Sequence, residues 1–291
     1  MKYEGVVIRP PSEADSLILQ VTVGCSHNKC IFCPAYKEKR FRIKSFDEIK
    51  EDIDEASIYP HYPRRIFLAD GDALIIPQQR LLEIIRYLNE KLPKLRRIGI
   101  YGNAKSILRK SVDQLKELKG NKLSIIYLGI ESGDETTLEY VRKGITYEKI
   151  VEAARRVKEA GIKLSVTVLL GVAGMDRSII HAKETARILT DIRPDYIGAL
   201  TLMIIPEAPL YRMLEMGEFT LPSPFELLQE LRTMIAESDL HNCLFFSNHA
   251  SNYLPIKARL PKDKDSSLKL IDKVLSSGDE ALLKPEYLRA L

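Results

Sequence analysis

Three of the four cysteines of this 291-residue chain, Cys25, Cys30 and Cys33, fall within nine positions, directly after the apolar run "SLILQVTV". Thiolates this close in sequence can converge on one metal centre, either tetrahedral zinc or an iron–sulfur cluster. Structural zinc needs four closed ligands, and His27 inside the loop would complete a Cys3His set. A cluster on three thiolates instead leaves one iron open for chemistry. Cys243 lies far from the other three. One cluster plus one distant thiol is no disulfide framework, and it fits a reducing compartment.

The residues that must hold such a centre lie on a repeating scaffold. Six apolar, β-branched runs are expected as strands: 17–23, 65–70, 97–102, 123–130, 162–171 and 196–202. Helix-like stretches separate them. Ser45, Ser111 and Ser223, each with Glu or Gln three residues later, are capping boxes that satisfy the free amides of a first helical turn. Strand–helix alternation at this spacing implies right-handed crossovers and a parallel sheet. Six units are two short of a closed eight-stranded barrel, which leaves a doubly wound sheet or an open partial barrel.

In both architectures the loops after the strands' C-terminal ends form the active face. The cysteines follow the first run. Asp70-Gly71-Asp72 follows the second, two carboxylates flanking a glycine that admits close backbone approach, a combination suited to a cation. Glu131-Ser132-Gly133 follows the fourth run, and Gly171-Val-Ala-Gly174 the fifth.

Composition bounds the rest. A hydrophobic content of 45% can bury a large core, and the net charge of +4, from 44 basic against 40 acidic residues, is mostly interleaved as on a solvated surface. It supports a weak bias toward an anionic substrate. The densest basic stretch, "KEKRFRIK" at 37–44, is the place where an RNA-binding stripe would show. No apolar run reaches about 18 residues and the N-terminus has no signal-peptide pattern. The expectation is a soluble, cytoplasmic protein with no membrane partner.

The loop Cys25-x4-Cys30-x2-Cys33 resembles the cluster loop of the radical S-adenosylmethionine (SAM) superfamily, one residue longer in its first gap than the usual C-x3-C-x2-C. The resemblance spans roughly residues 8 to 205 in motif order and is nearest the methylthiotransferase-like and oxygen-independent coproporphyrinogen-oxidase-like branch, as a stand-alone chain. It implies a partial (β/α)6 TIM-like barrel with a C-terminal α+β extension. It also implies a [4Fe–4S] cluster on Cys25, Cys30 and Cys33 with the fourth iron left for SAM, and reductive cleavage of SAM to a 5′-deoxyadenosyl radical that abstracts hydrogen from a substrate. By the same resemblance Phe32 packs beside the SAM adenine, Asp70, Gly71 and Asp72 receive the methionine ammonium, and Glu131, with Ser132 beside it, contacts the ribose or amino group. Arg142 and Lys143 pair with the SAM carboxylate, and Gly171 and Gly174 bring backbone to the adenine.

The expected division is a core over 1–205 and an extension over 206–291 acting as a substrate lid. The extension gathers His241, Asn242, Ser247, Asn248, His249, Ser251, Asn252 and Tyr253, a density of neutral hydrogen-bonding groups. Within it His249 is a candidate acid, base or substrate ligand, and Cys243 a candidate hydrogen-atom donor. Expected partners are SAM, an unknown small or medium-sized substrate and a flavodoxin- or ferredoxin-type electron donor. A tRNA or protein substrate is the alternative, and a non-enzymatic zinc- or cluster-binding factor the third reading.

Overall fold

The computed structural model describes residues 1–58 and 63–290, which form two compact units. The first unit comprises 1–28, 35–128 and 152–164; the second comprises 29–34, 129–151 and 165–291.

The strands that lie wholly or mostly in the first unit are β1 (Leu17–Gln20), β2 (Thr22–Val23), β3 (Arg42–Ile43), β4 (Arg65–Ala69), β5 (Arg97–Tyr101) and β6 (Leu123–Glu131). Its helices are α1 (Phe46–Ile58), α2 (Gln78–Lys91), α3 (Ala104–Leu108) and α4 (Val112–Gly120). The order β1-β4-β5-β6 is parallel and advances one way along the sheet. A doubly wound sheet would reverse direction at a switch point, and none occurs among these strands. Ile66, Phe67, Leu68, Ala69, Ile98 and Ile100 are fully buried. Both faces of such strands are covered, which is why they read as continuous apolar runs rather than alternating ones.

The expected strand over 17–23 divides at Val21. Its amide still bonds to Ala69 O at 2.6 Å, but beyond it Thr22 and Val23 pair antiparallel with Ile43 and Arg42. This small ribbon spans the ends of the loop that carries the cysteines. Ser45 and Glu48 form reciprocal side-chain-to-amide bonds of 2.7 and 3.2 Å and so start α1. Complete capping boxes also start α4 at Ser111 and α9 (Pro224–Glu237) at Ser223.

In the second unit are α5 (Glu135–Tyr140), the start of α6 (Tyr147–Glu159), most of β7 (Lys163–Leu170), α7 (Ser178–Ile192), β8 (Tyr196–Thr201), α8 (Pro209–Glu215), α9, β9 (Cys243–Phe246), β10 (Lys257–Leu260) and α10 (Lys264–Ser277). β7 and β8 are parallel, β9 joins β8 in parallel, and β10 closes the edge antiparallel to β9. Residues beyond 205 therefore group with 165–201, and β9 is a further parallel strand added by the C-terminal region. Among the described residues no helix is long and apolar enough to cross a membrane.

Candidate cofactor site

At the β4 exit both aspartates are fully buried. Asp70 Oδ2 accepts from Gly24 N at 3.1 Å and Gln20 Nε2 at 3.1 Å, and it pairs with Lys39 Nζ at 3.0 Å. One carboxylate thus fastens the start of the cysteine loop to the sheet. Asp72 accepts from Asn103 N at 3.1 Å, Asn103 Nδ2 at 2.7 Å, Ser106 Oγ at 2.6 Å and Ser26 Oγ. Burial raises the Asp72 pKa, and the bonds from Ser106, Ser26 and Asn103 oppose the rise. Between them, a Cβ added at Gly71 would lie 2.6 Å from the Tyr36 ring and 3.0 Å from Cys25 Cβ. Only glycine lets the β4 exit press so closely on Cys25.

Cys30 and Cys33 lie in the second unit, flanking a buried anchor, Ile31. Ile31 N donates to Val141 O at 3.1 Å and Leu210 N donates to Ile31 O at 2.9 Å. Its side chain joins Val141, Leu169, Val172, Leu202, Leu210 and Phe219, and Phe32 packs against that cluster while staying partly exposed. Cys25, Cys30 and Cys33 form no disulfide and are of intermediate exposure, whereas Cys243 is fully buried in β9. Within neither unit do three His, Cys, Asp or Glu side chains gather to hold a metal ion among the described residues, and the three cysteines are divided between the units. The three thiols form no disulfide and keep some exposure, and the backbone beside Cys25 is kept bare by Gly71, so these donors fit a cluster loop.

At the β6 exit, Glu131 adopts a left-handed backbone, φ +63°. Its carboxylate folds over Gly129 and pairs with Lys143 Nζ at 2.8 Å, the two side chains being 12% and 14% exposed. Arg142, also left-handed, is exposed, so the adjacent cations diverge. Ser132 turns inward: it is fully buried, 2.7 Å from His181 Nδ1. Asp134 caps α5 through Thr137 N at 3.0 Å and takes a two-pronged bond from Arg177 at 2.8 and 2.9 Å. Burial works against its charge, yet Arg177 and Thr137 hold its carboxyl below the usual range.

At the β7 exit, Gly171 and Gly174 are both left-handed, φ +81° and +70°, and side chains of the C-terminal region lie directly against them: Leu227 and Leu221 at Gly171, Phe219 at Gly174. Gly171 N donates to Glu230 Oε2 at 2.7 Å.

The polar residues of 247–253 mostly bond to their own unit. Asn252 bridges Ala199 O and Thr201 Oγ1 at 2.9 and 2.8 Å, Ser251 Oγ accepts from Thr201 N at 3.3 Å, and Tyr253 OH donates to Glu286 at 2.7 Å. His241, by contrast, is exposed and paired with Asp239 at 3.1 Å. His249 Nδ1 accepts from Ser251 N at 3.2 Å, which puts the neutral ring's proton on Nε2. Burial, and then the Lys284 charge, hold its pKa below the ordinary value.

Sequence reasoning passed over Asn103, Ser106, Ser26, His181 and Glu230. The last two carried a signal: each interrupts an apolar helical stripe, Glu230 beside Leu227, Leu231 and Met234, and His181 beside Ala182, Ile188 and Leu189. A polar side chain at such a position is buried with a specific partner.

The sequence model of the Radical SAM superfamily matches residues 19–185. An uncharacterised protein of Methanocaldococcus jannaschii is 27% identical over 258 residues, covering 84% of this chain and 74% of its own. A tRNA-2-methylthio-N(6)-dimethylallyladenosine synthase of Dehalococcoides mccartyi is 26% identical over 67% of this chain, which spans about half, 47%, of that relative. Among solved structures, methylornithine synthase superposes with a TM-score of 0.54 at 19% identity, covering 77% of this chain and 63% of that one. Coproporphyrinogen III oxidase from Escherichia coli gives 0.55 at 14% identity, covering 76% and 51%. These likenesses show the fold, a partial TIM-like barrel, and the one-way strand order agrees with it. The family match covers more than half of the sequence, and the chain accordingly belongs to the radical SAM superfamily, enzymes whose cofactors are a [4Fe–4S] cluster and SAM.

Proposed function

We propose that Cys25, Cys30 and Cys33 hold the cluster, that SAM lies against the exits of β4, β6 and β7, and that the substrate is a small or medium-sized, anionic molecule under a lid drawn from residues 206–291. When bound, the cluster would supply the electron for reductive cleavage of SAM, the source of a 5′-deoxyadenosyl radical that would take hydrogen from the substrate. The chain's own part is positioning. Asp70 and Asp72 hold the cysteine loop and the β5 exit in place. Glu131 and Lys143 present opposite charges at one point, which suits the ammonium and carboxylate of the methionyl group. Gly171 and Gly174 offer backbone to the adenosyl group. His249, with Nε2–H left to donate, is the candidate substrate ligand, and a small flavodoxin- or ferredoxin-type protein the candidate electron donor.

The observation that favours a small substrate over tRNA is the state of the basic stretch 37–44. Lys39 pairs with Asp70, Arg42 with Glu4 and Glu48, and Lys44 with Asp52, while Lys37 donates to Asn28 O. Cations already matched to carboxylates make a poor phosphate-binding stripe. Anaerobically reconstituted protein is expected to hold one [4Fe–4S] cluster and, with a strong reductant, to form 5′-deoxyadenosine from SAM. Stoichiometric zinc with no iron after anaerobic purification would overturn the cluster assignment. Salt-dependent tRNA binding would turn the substrate assignment toward RNA, the substrate class named for the methylthio relative.

A further inference from the structure

The second unit contains a buried polar cluster outside the motifs that name the cofactor site. Glu230 on α9 and His181 on α7 are both fully buried. Asp134 N donates to Ser132 Oγ at 3.0 Å, which directs the Ser132 proton to His181 Nδ1, 2.7 Å away. An imidazole that accepts at Nδ1 carries its hydrogen on Nε2. Burial lowers the His181 pKa to about 4, so the ring is neutral at pH 7. Nε2 lies 3.8 Å from Glu230 Oε2 and, although the Leu169 carbonyl is near enough to favour the charged ring, it is, like Glu230 Oε1 and Ser178 Oγ, buried without a partner in hydrogen-bond geometry among the described residues. Ser178 lies close enough to favour ionised Glu230 but outside hydrogen-bond geometry.

Orphaned polar atoms are rare in protein cores and costly, and hydrocarbon of the same shape would serve packing better. Among the described residues, the Glu230 carboxylate completes one hydrogen bond, from Gly171 N at 2.7 Å. A Cβ at Gly171 would stand 2.7 Å from Leu227. Neighbouring turns of α9 therefore cover Gly171 and hold its amide.

We propose that Glu230 is a positioning residue for SAM: by accepting the Gly171 amide, with the His181 ring behind it, it fixes the glycine turn 171–174 against which the adenosyl group rests. This builds on the placement of SAM at that turn proposed above. The groups facing Glu230 are His181 and Ser178 from α7, the Gly171 amide from the β7 exit, and Glu226 one turn earlier on α9; Asp134, paired with Arg177, acts on His181. Burial raises the Glu230 pKa to about 7, against the opposing influence of the nearby Ser178 hydroxyl and the Gly171 bond. Ionisation therefore switches the Gly171 bond between neutral and charge-assisted strength near neutral pH.

The test is SAM affinity of the reconstituted, cluster-bearing protein between about pH 6 and pH 8, measured on wild type, Glu230→Gln and Glu230→Leu with iron content and melting temperature alongside. The wild type is expected to lose affinity about three- to tenfold as the pH falls, because the charge-assisted bond is lost. Glu230→Gln, which keeps a carbonyl acceptor without a charge, should hold the weaker value with that component of the pH dependence removed. The titration of SAM itself is common to both proteins and drops out of their comparison. Glu230→Leu should bind about tenfold or more weakly at every pH with iron unchanged. If Glu230→Leu does not fold, the Glu230→Gln profile decides alone. A Glu230→Gln profile superimposable on wild type, or a folded Glu230→Leu protein with wild-type affinity, would overturn the proposal. A wild type that holds the cluster yet binds no SAM would overturn the placement of SAM as well, and so separates the two failures.

Discussion

The exits of β4 and β6 both present carboxylates, but they engage them in opposite ways. Asp72 is fully buried and accepts from four protein donors, while Glu131 keeps some exposure and has one partner in the ion pair with Lys143. A carboxylate surrounded by donors holds the chain in place, whereas a single ion pair near solvent can be exchanged for a ligand's charges at low cost. A motif match therefore says little about whether an acidic residue builds the scaffold or meets the cofactor. The number of its protein donors says more.

The sharpest way to probe this contrast starts with the thiols, where the largest effect is expected. Ala at Cys25, Cys30 or Cys33 should abolish bound iron and sulfide after reconstitution, and a variant that keeps a full complement would remove that cysteine from the ligand set. Next come the two carboxylates. Asp72→Ala strands four donors, one buried and three partly buried, and should destabilise the chain by about 3 kcal/mol in urea unfolding. Glu131→Ala should move stability by no more than about 1 kcal/mol. Yet it should weaken SAM binding by about ten- to a hundredfold. If the two variants unfold alike, the contrast between the exits is gone.

Gly71→Ala sharpens the point on the scaffold side. Its methyl would enter the space of the Tyr36 ring and Cys25 Cβ, for a loss of about 1–3 kcal/mol together with impaired cluster loading. Smaller still is a pH effect. Burial holds the Asp72 pKa above its ordinary value, so the folded chain binds that proton more readily than the unfolded chain. Stability from this group is present at low pH and declines as pH rises from its unfolded pKa toward the raised folded one. Asp72→Asn should flatten that limb of the urea-midpoint profile, and an unchanged slope would mean another group is responsible. The smallest effect is expected for Cys243→Ala, which should leave iron content as it is, because the thiol is buried in β9. Iron falling to the level of the Cys30 variant would make Cys243 a fourth ligand.

The strand scaffold was readable because parallel strands covered on both faces must be apolar along their whole length, and all six expected runs form strands. The break at Val21 was not readable. "LILQVTV" is uniformly strand-forming, and the bonds of Thr22 and Val23 to Arg42 and Ile43 come from some twenty residues away. The parallel placement of β9 escaped for a related reason: "CLFF" is only four residues long, and its partner Tyr196–Gly198 lies far back in the chain.

Local order along the chain was enough to determine the cysteine spacing, the capped helix starts and the succession of strand exits, since each depends on neighbours a few residues apart. Tertiary structure alone decided which donors surround each carboxylate: that Asp72 meets Asn103 and Ser106, that Glu131 turns to Lys143 while Arg142 faces solvent, and that Glu230 reaches back to the Gly171 amide. A hydrogen bond depends on distances and angles between side chains, and those exist only once strands and helices from remote parts of the chain have packed.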